Sequence, residues 1–129
     1  MYVRFVLHSD HAECGVRVGP FHVAYFLRRE EKDLMSEVEW LVLDETLDWF
    51  GHELRVPPRT YCWCKGWRDG YCWFRDSAKE HILRMRTLAW VLGENGYPMT
   101  MIRGDSPGRV LYADRHQIVA MPYRDSFIG

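Results

Sequence analysis

The tightest constraint on this chain comes from its last third. Three short β-prone runs, Met99–Arg103, Arg109–Ala113 and His116–Met121, are separated by little more than turn chemistry. The first link is Gly104-Asp105-Ser106-Pro107-Gly108, and the second is only Asp114-Arg115. A link that short cannot hold a crossover, so the last two runs must reverse into an antiparallel hairpin. A chain with this ending has to supply something apolar to cover one face of a sheet.

The upstream sequence supplies it. Ser77-Ala78-Lys79-Glu80 reads as a capping box, in which hydroxyl and carboxylate each satisfy an orphan amide at a helix start. Ala78, Ile82, Met85, Ala89 and Leu92 then recur at the 4-3-4-3 spacing of an amphipathic helix, which Gly93, Gly96 and Pro98 bring to an end. Leu34 to Leu54 predicts a longer helix. Its wide apolar stripe includes Val38, Val42 and Trp49, extended by Trp40, Leu43, Leu47 and Phe50. Pro57-Pro58 blocks any continuation. Pro20 suits a first helical turn, with Phe21, Ala24 and Tyr25 at helical spacing behind it. Tyr2 to Leu7 alternates, so Val3, Phe5 and Leu7 share a strand face. The expected fold is a two-layer α+β domain spanning residues 1–129. It has about four mostly antiparallel strands and three helices on one face.

No run of apolar residues reaches the ~20 needed to cross a bilayer. The opening Tyr2–Leu7 stretch is too short for a signal peptide and lacks a small-residue cleavage site, which points to the cytoplasm. The four Cys (Cys14, Cys62, Cys64 and Cys72) sit in a core-rich chain of 129 residues and read as thiols rather than a disulfide framework. Net charge is −1, which gives little bulk attraction to nucleic acid or membrane. The charge is uneven, however. Residues 1–54 balance to −6 and residues 55–86 to +5.

That basic middle holds the most unusual segment. Residues 59–75 interleave Tyr61, Trp63, Trp67, Tyr71, Trp73 and Phe74 with Arg59, Lys65, Arg68 and Arg75. Rings and guanidinium groups together suit a protein interface, where Trp, Tyr and Arg dominate binding energy. They also suit single-stranded nucleic acid, where rings stack on bases and cations follow phosphates. The competing structural explanation is that the rings seal the edge of the core. Arg59, Tyr61, Trp63, Lys65, Trp67, Arg68, Tyr71 and Trp73 form the expected binding set.

Two clusters offer metal chemistry. His8, Asp10 and His11 follow the first strand, and imidazole with carboxylate suits a divalent cation; a solvated polar loop explains the same residues. Cys62, Cys64 and Cys72, with His52 or His81, have the donor types of a structural zinc site. C-x-C is not the usual C-x2-C knuckle, and burial of small thiols explains the alternation better. Asp114 and His116 suit an acid–base pair, but Asp is also a common turn residue. No phosphate-loop, dinucleotide or nucleophile-elbow pattern is present.

Several stretches resemble a family of small bacterial proteins of unknown function. They are Tyr2-Val3-Arg4-Phe5-Val6, Trp73-Phe74-Arg75-Asp76-Ser77-Ala78, Gly108-Arg109-Val110-Leu111-Tyr112-Ala113-Asp114, and Gln117-Ile118-Val119-Ala120-Met121-Pro122. The resemblance implies a bacterial or phage origin and a stand-alone domain. It supplies no activity and no site residues.

The expectation is therefore a non-enzymatic binding protein without a cofactor. It would engage a macromolecule through residues 59–75, a protein ahead of nucleic acid and not a membrane. The alternative is a small metal-dependent hydrolase using His8, Asp10 and His11, with zinc or another divalent metal. The sequence leaves the oligomeric state open.

Overall fold

The structure, a computed structural model, describes residues 1–8, 19–55 and 71–121. Five strands, β1 (Tyr2–Leu7), β2 (Tyr71–Arg75), β3 (Met99–Gly104), β4 (Arg109–Ala113) and β5 (Gln117–Met121), form one sheet in the order β3-β1-β2-β5-β4. Every neighbouring pair is antiparallel. Three helices, α1 (Pro20–Glu30), α2 (Glu37–Glu53) and α3 (Lys79–Glu94), make the second layer. The expected α+β class holds.

Register explains why the helices lie on one face. Val3 stands opposite Phe74, Phe5 opposite Met101 and Leu7 opposite Met99, so these side chains project the same way. They join Val23, Ala24 and Leu27 of α1, Leu43, Leu47 and Phe50 of α2, and Met85, Leu88, Val91 and Leu92 of α3 in a single cluster. Each large apolar side chain hidden there contributes about 1.5–3 kcal/mol. Phe50 is a hub, with its ring edge-on to Phe21 at 5.0 Å and to Trp49 at 5.1 Å. No helix among the described residues is long and apolar enough to cross a membrane.

The structure corrects three local expectations. Among the described residues there are five strands rather than about four, because Tyr71–Arg75 is itself a strand at the centre of the sheet. Its sequence, Tyr-Cys-Trp-Phe-Arg, is β-prone, but the aromatic–basic composition around it obscured the pattern. The last strand begins at Gln117, and His116 belongs to the turn before it. The capping box also sits elsewhere. Ser36 accepts from the Glu39 amide at 3.1 Å, and the Ser36 amide donates to the Glu39 carboxylate at 3.0 Å, after a single 3-10 turn at Lys32–Leu34. At α3 the N-cap is Ala78, with no side-chain cap, because the chain turns straight out of β2. The Ala78 amide bonds the Arg75 carbonyl, and the Lys79 amide bonds the Ser77 carbonyl.

The helix stripes are rotated from those expected. In α3 the buried residues are His81, Met85, Leu88, Val91 and Leu92, while Ile82 and Ala89 lie at the border. In α2 they are Leu43, Thr46, Leu47 and Phe50, and Val38 lies across the helix with 63% of its surface exposed. A wide apolar pattern does not say which part of it meets the sheet.

Candidate binding face and a histidine cleft

The sheet face opposite the helices carries the described part of the expected binding set. Phe74 points into the core, so Trp73 and Tyr71 point the other way, by the two-residue period of a strand. Arg4 of β1 lies on the same face. Its guanidinium stands 3.9 Å from the Tyr71 ring centroid and 5.9 Å from that of Trp73. Such stacking contributes about 0.5–2 kcal/mol and holds the rings upright. The six-membered ring of Trp73 reaches across β1 to Gly104 of β3, where an added Cβ would lie 3.7 Å away. Tyr71 and Trp73 are half-buried, and Ile118 and Ala120 are buried on the same face outside the helix-covered core cluster. Arg59, Tyr61, Trp63, Lys65, Trp67 and Arg68 lie outside the described residues.

The metal candidates are only partly visible. The His8 side chain hydrogen-bonds the Thr100 hydroxyl, and its amide donates to the Pro98 carbonyl at 3.0 Å. Asp10 and His11 lie outside the described residues. Cys72 faces the helix layer, and its thiol donates to the Gln117 side-chain oxygen at 3.0 Å. Cys62 and Cys64, which the zinc reading also needs, lie outside the described residues as well. His52 bonds the Asp48 carbonyl at 2.9 Å through Nδ1. Among the described residues, no group of three or more His, Cys, Asp or Glu side chains is placed to hold a metal ion.

Sequence reasoning named His81 as a candidate zinc ligand and His116 as half of an acid–base pair, but missed that the two meet. His81 is only 4% exposed, and its Nε2 donates to the Glu53 carbonyl at 2.7 Å, tying α3 to the end of α2. Because a carbonyl only accepts, Nε2 carries the proton. The His81 ring meets Trp49 edge-on at 4.8 Å and stacks on His116 at 4.2 Å, with the planes 27° apart. Trp49, Ser77, Lys79, His81, Arg115 and His116 line an open cleft of about 590 Å³. Burial pushes the His116 imidazole below its usual range, and the neighbouring His81 and Arg115 add to this against Asp114 and Glu53. A helical wheel rotated by one position, with His81 four residues before Met85, would have placed His81 among the core residues.

Asp114 closes the β4–β5 turn. One carboxylate oxygen accepts from the His116 and Gln117 amides at 2.9 and 3.0 Å; the other accepts from the Tyr112 hydroxyl at 2.9 Å and the Gln117 side chain at 3.1 Å. Burial alone would push this carboxyl up, but the four hydrogen bonds outweigh it and hold it below the ordinary range. Both oxygens are spent on the turn, so Asp114 serves as a turn residue and not as the acid of a pair. Gln117, 1% exposed, continues the network through its amide to the Arg55 carbonyl.

Comparison with models of protein families, with curated proteins and with solved structures finds no match, so the resemblance to small bacterial proteins assigns neither a family nor a site.

Proposed function

We propose that this chain is a binding module that engages a protein through the aromatic–basic segment 59–75 and the sheet face away from the three described helices. One observation carries this reading. Tyr71 and Trp73, the described end of the segment, stand on the face away from the helices with Arg4 stacked beside them. Ring–guanidinium clusters of this kind are typical anchors of protein interfaces. A net charge of −1 favours a protein over nucleic acid, whose affinity depends on neutralising phosphates.

The test is affinity capture with the full chain, comparing wild type with a Tyr71→Ala/Trp73→Ala variant and a Trp63→Ala/Trp67→Ala variant. Each lost anchor is expected to cost about 2 kcal/mol or more of binding, with the circular dichroism spectrum unchanged. Capture that survives both variants ends this reading, as does loss of the native spectrum, which would make the rings structural. Capture abolished by nuclease treatment would assign the face to nucleic acid instead.

A further inference from the structure

The cleft beside the stacked histidines opens on the start of α3. That start has no side-chain cap. The Lys79 amide returns to the Ser77 carbonyl, and the Ile82 amide begins the helical ladder at the Ala78 carbonyl. The Glu80 and His81 amides between them have no partner among the described residues. The Ser77 hydroxyl, spared from capping, lines the same cleft. Free amides at the positive end of a 16-residue helix attract an anion.

The side chains of the cleft add to that attraction. Lys79 and Arg115 line it, and neither forms an ion pair among the described residues. Of the two carboxylates there, Glu80 is engaged by Arg84 at 3.2 Å. Glu53 remains, and its charge reaches His116. Two cations and a helix start thus face one unpaired carboxylate. His81 is 4% exposed, and its Nε2 is committed to the Glu53 carbonyl, so Nδ1 is the ring atom left for a ligand. The His116 imidazole stacked on it makes no hydrogen bond among the described residues. The volume, about 590 Å³, is that of a small-molecule site and far exceeds what a bare oxyanion fills. Rings of Trp49 and His116 bound the rest.

We propose that this cleft binds a phosphate monoester. Its phosphoryl oxygens accept from the Glu80 and His81 amides and pair with Lys79 and Arg115, and its organic part lies against Trp49 and His116. A dianion suits the site better than a carboxylate, because it answers both cations and outweighs the repulsion from Glu53. Protonated imidazoles would add donors to the phosphoryl group, from His81 Nδ1 and from His116. The cleft shares no residue with the aromatic sheet face, so the two sites stand or fall separately.

Proton–nitrogen NMR of the full chain tests the proposal, with inorganic phosphate and phenyl phosphate as probes at constant ionic strength. The Glu80 and His81 amides and the rings of His81 and His116 should shift and saturate in the low-millimolar range. Phenyl phosphate should bind more tightly than inorganic phosphate. Lys79→Ala and Arg115→Ala should each raise the dissociation constant about tenfold. Both residues are exposed, so neither change should alter the circular dichroism spectrum. Glu53→Gln should lower the dissociation constant, because it removes the opposing charge and keeps the carbonyl that holds His81. Shifts that never saturate, or that chloride reproduces, overturn the proposal, as does a dissociation constant that none of the three substitutions moves. Equal affinity for the two probes would also overturn it, reducing the cleft to a site for free phosphate.

Discussion

At the scale of single residues, the β4–β5 turn concentrates the titration chemistry. Asp114 is held below its usual range in the fold, so its contribution is complete above the ordinary carboxylate range. That contribution is lost as pH falls through its folded value. His116 is also depressed, from an ordinary value of 6.5. Below 6.5 the unfolded chain takes up this proton more readily than the folded one, so stability falls with pH there too. Denaturant midpoints measured across pH should therefore decline in two stages. His116→Gln should flatten the stage that sets in below 6.5, and Asp114→Asn the more acidic one. Asp114→Ala should also cost about 2–3 kcal/mol at neutral pH, because it strands the Tyr112 hydroxyl and the Gln117 amides. Tyr112 is the counterpart of Asp114. Burial, followed by the hydrogen bond and the charge of Asp114, raises its hydroxyl above the usual range and keeps it protonated, against the opposing charge of Arg55.

At the scale of elements, two serines look alike in sequence and differ in role. Ser36 makes both arms of a capping box with Glu39; the Ser77 side chain makes no cap bond. Thermal melts should show Ser36→Ala costing about 1 kcal/mol and Ser77→Ala only a few tenths. The helix faces divide in the same way. Leu88→Ala empties a position in the core cluster and should cost about 2–5 kcal/mol, whereas Leu83→Ala, at a position 58% exposed, should stay within about 0.5 kcal/mol. Comparable losses at Leu83 and Leu88 would mean that α3 is turned the other way. Arg28 bridges Asp44 and Asp48 at 3.4 and 3.5 Å between α1 and α2, yet partly exposed ion pairs of this length add little to stability.

At the scale of the whole molecule, the sheet divides the labour. One face is sealed by three helices, and the other carries Arg4, Tyr71 and Trp73. Of its edges, β4 is bulged and β3 is regular. Three local patterns were legible in advance, although the equally local capping-box motif at Ser77 was not realised. The alternation of Tyr2–Leu7, the Pro20 helix start and the reversal forced by Asp114-Arg115 all appear as expected. Half of the candidate binding logic was legible too, since the period of a strand is enough to put Trp73 and Phe74 on opposite faces once β2 is recognised.

Short-range patterns of size and polarity established the α+β class, the helices and the terminal hairpin, because those depend on neighbours within a few positions. Which side of α2 and α3 meets the sheet, which serine caps a helix, and the stacking of His81 on His116 were decided by packing between segments far apart in the chain. Those outcomes depend on strand order and register, which bring β2 between β1 and β5 and set α3 against the end of α2. A stretch of residues cannot carry that information, because the partner that completes each contact comes from elsewhere.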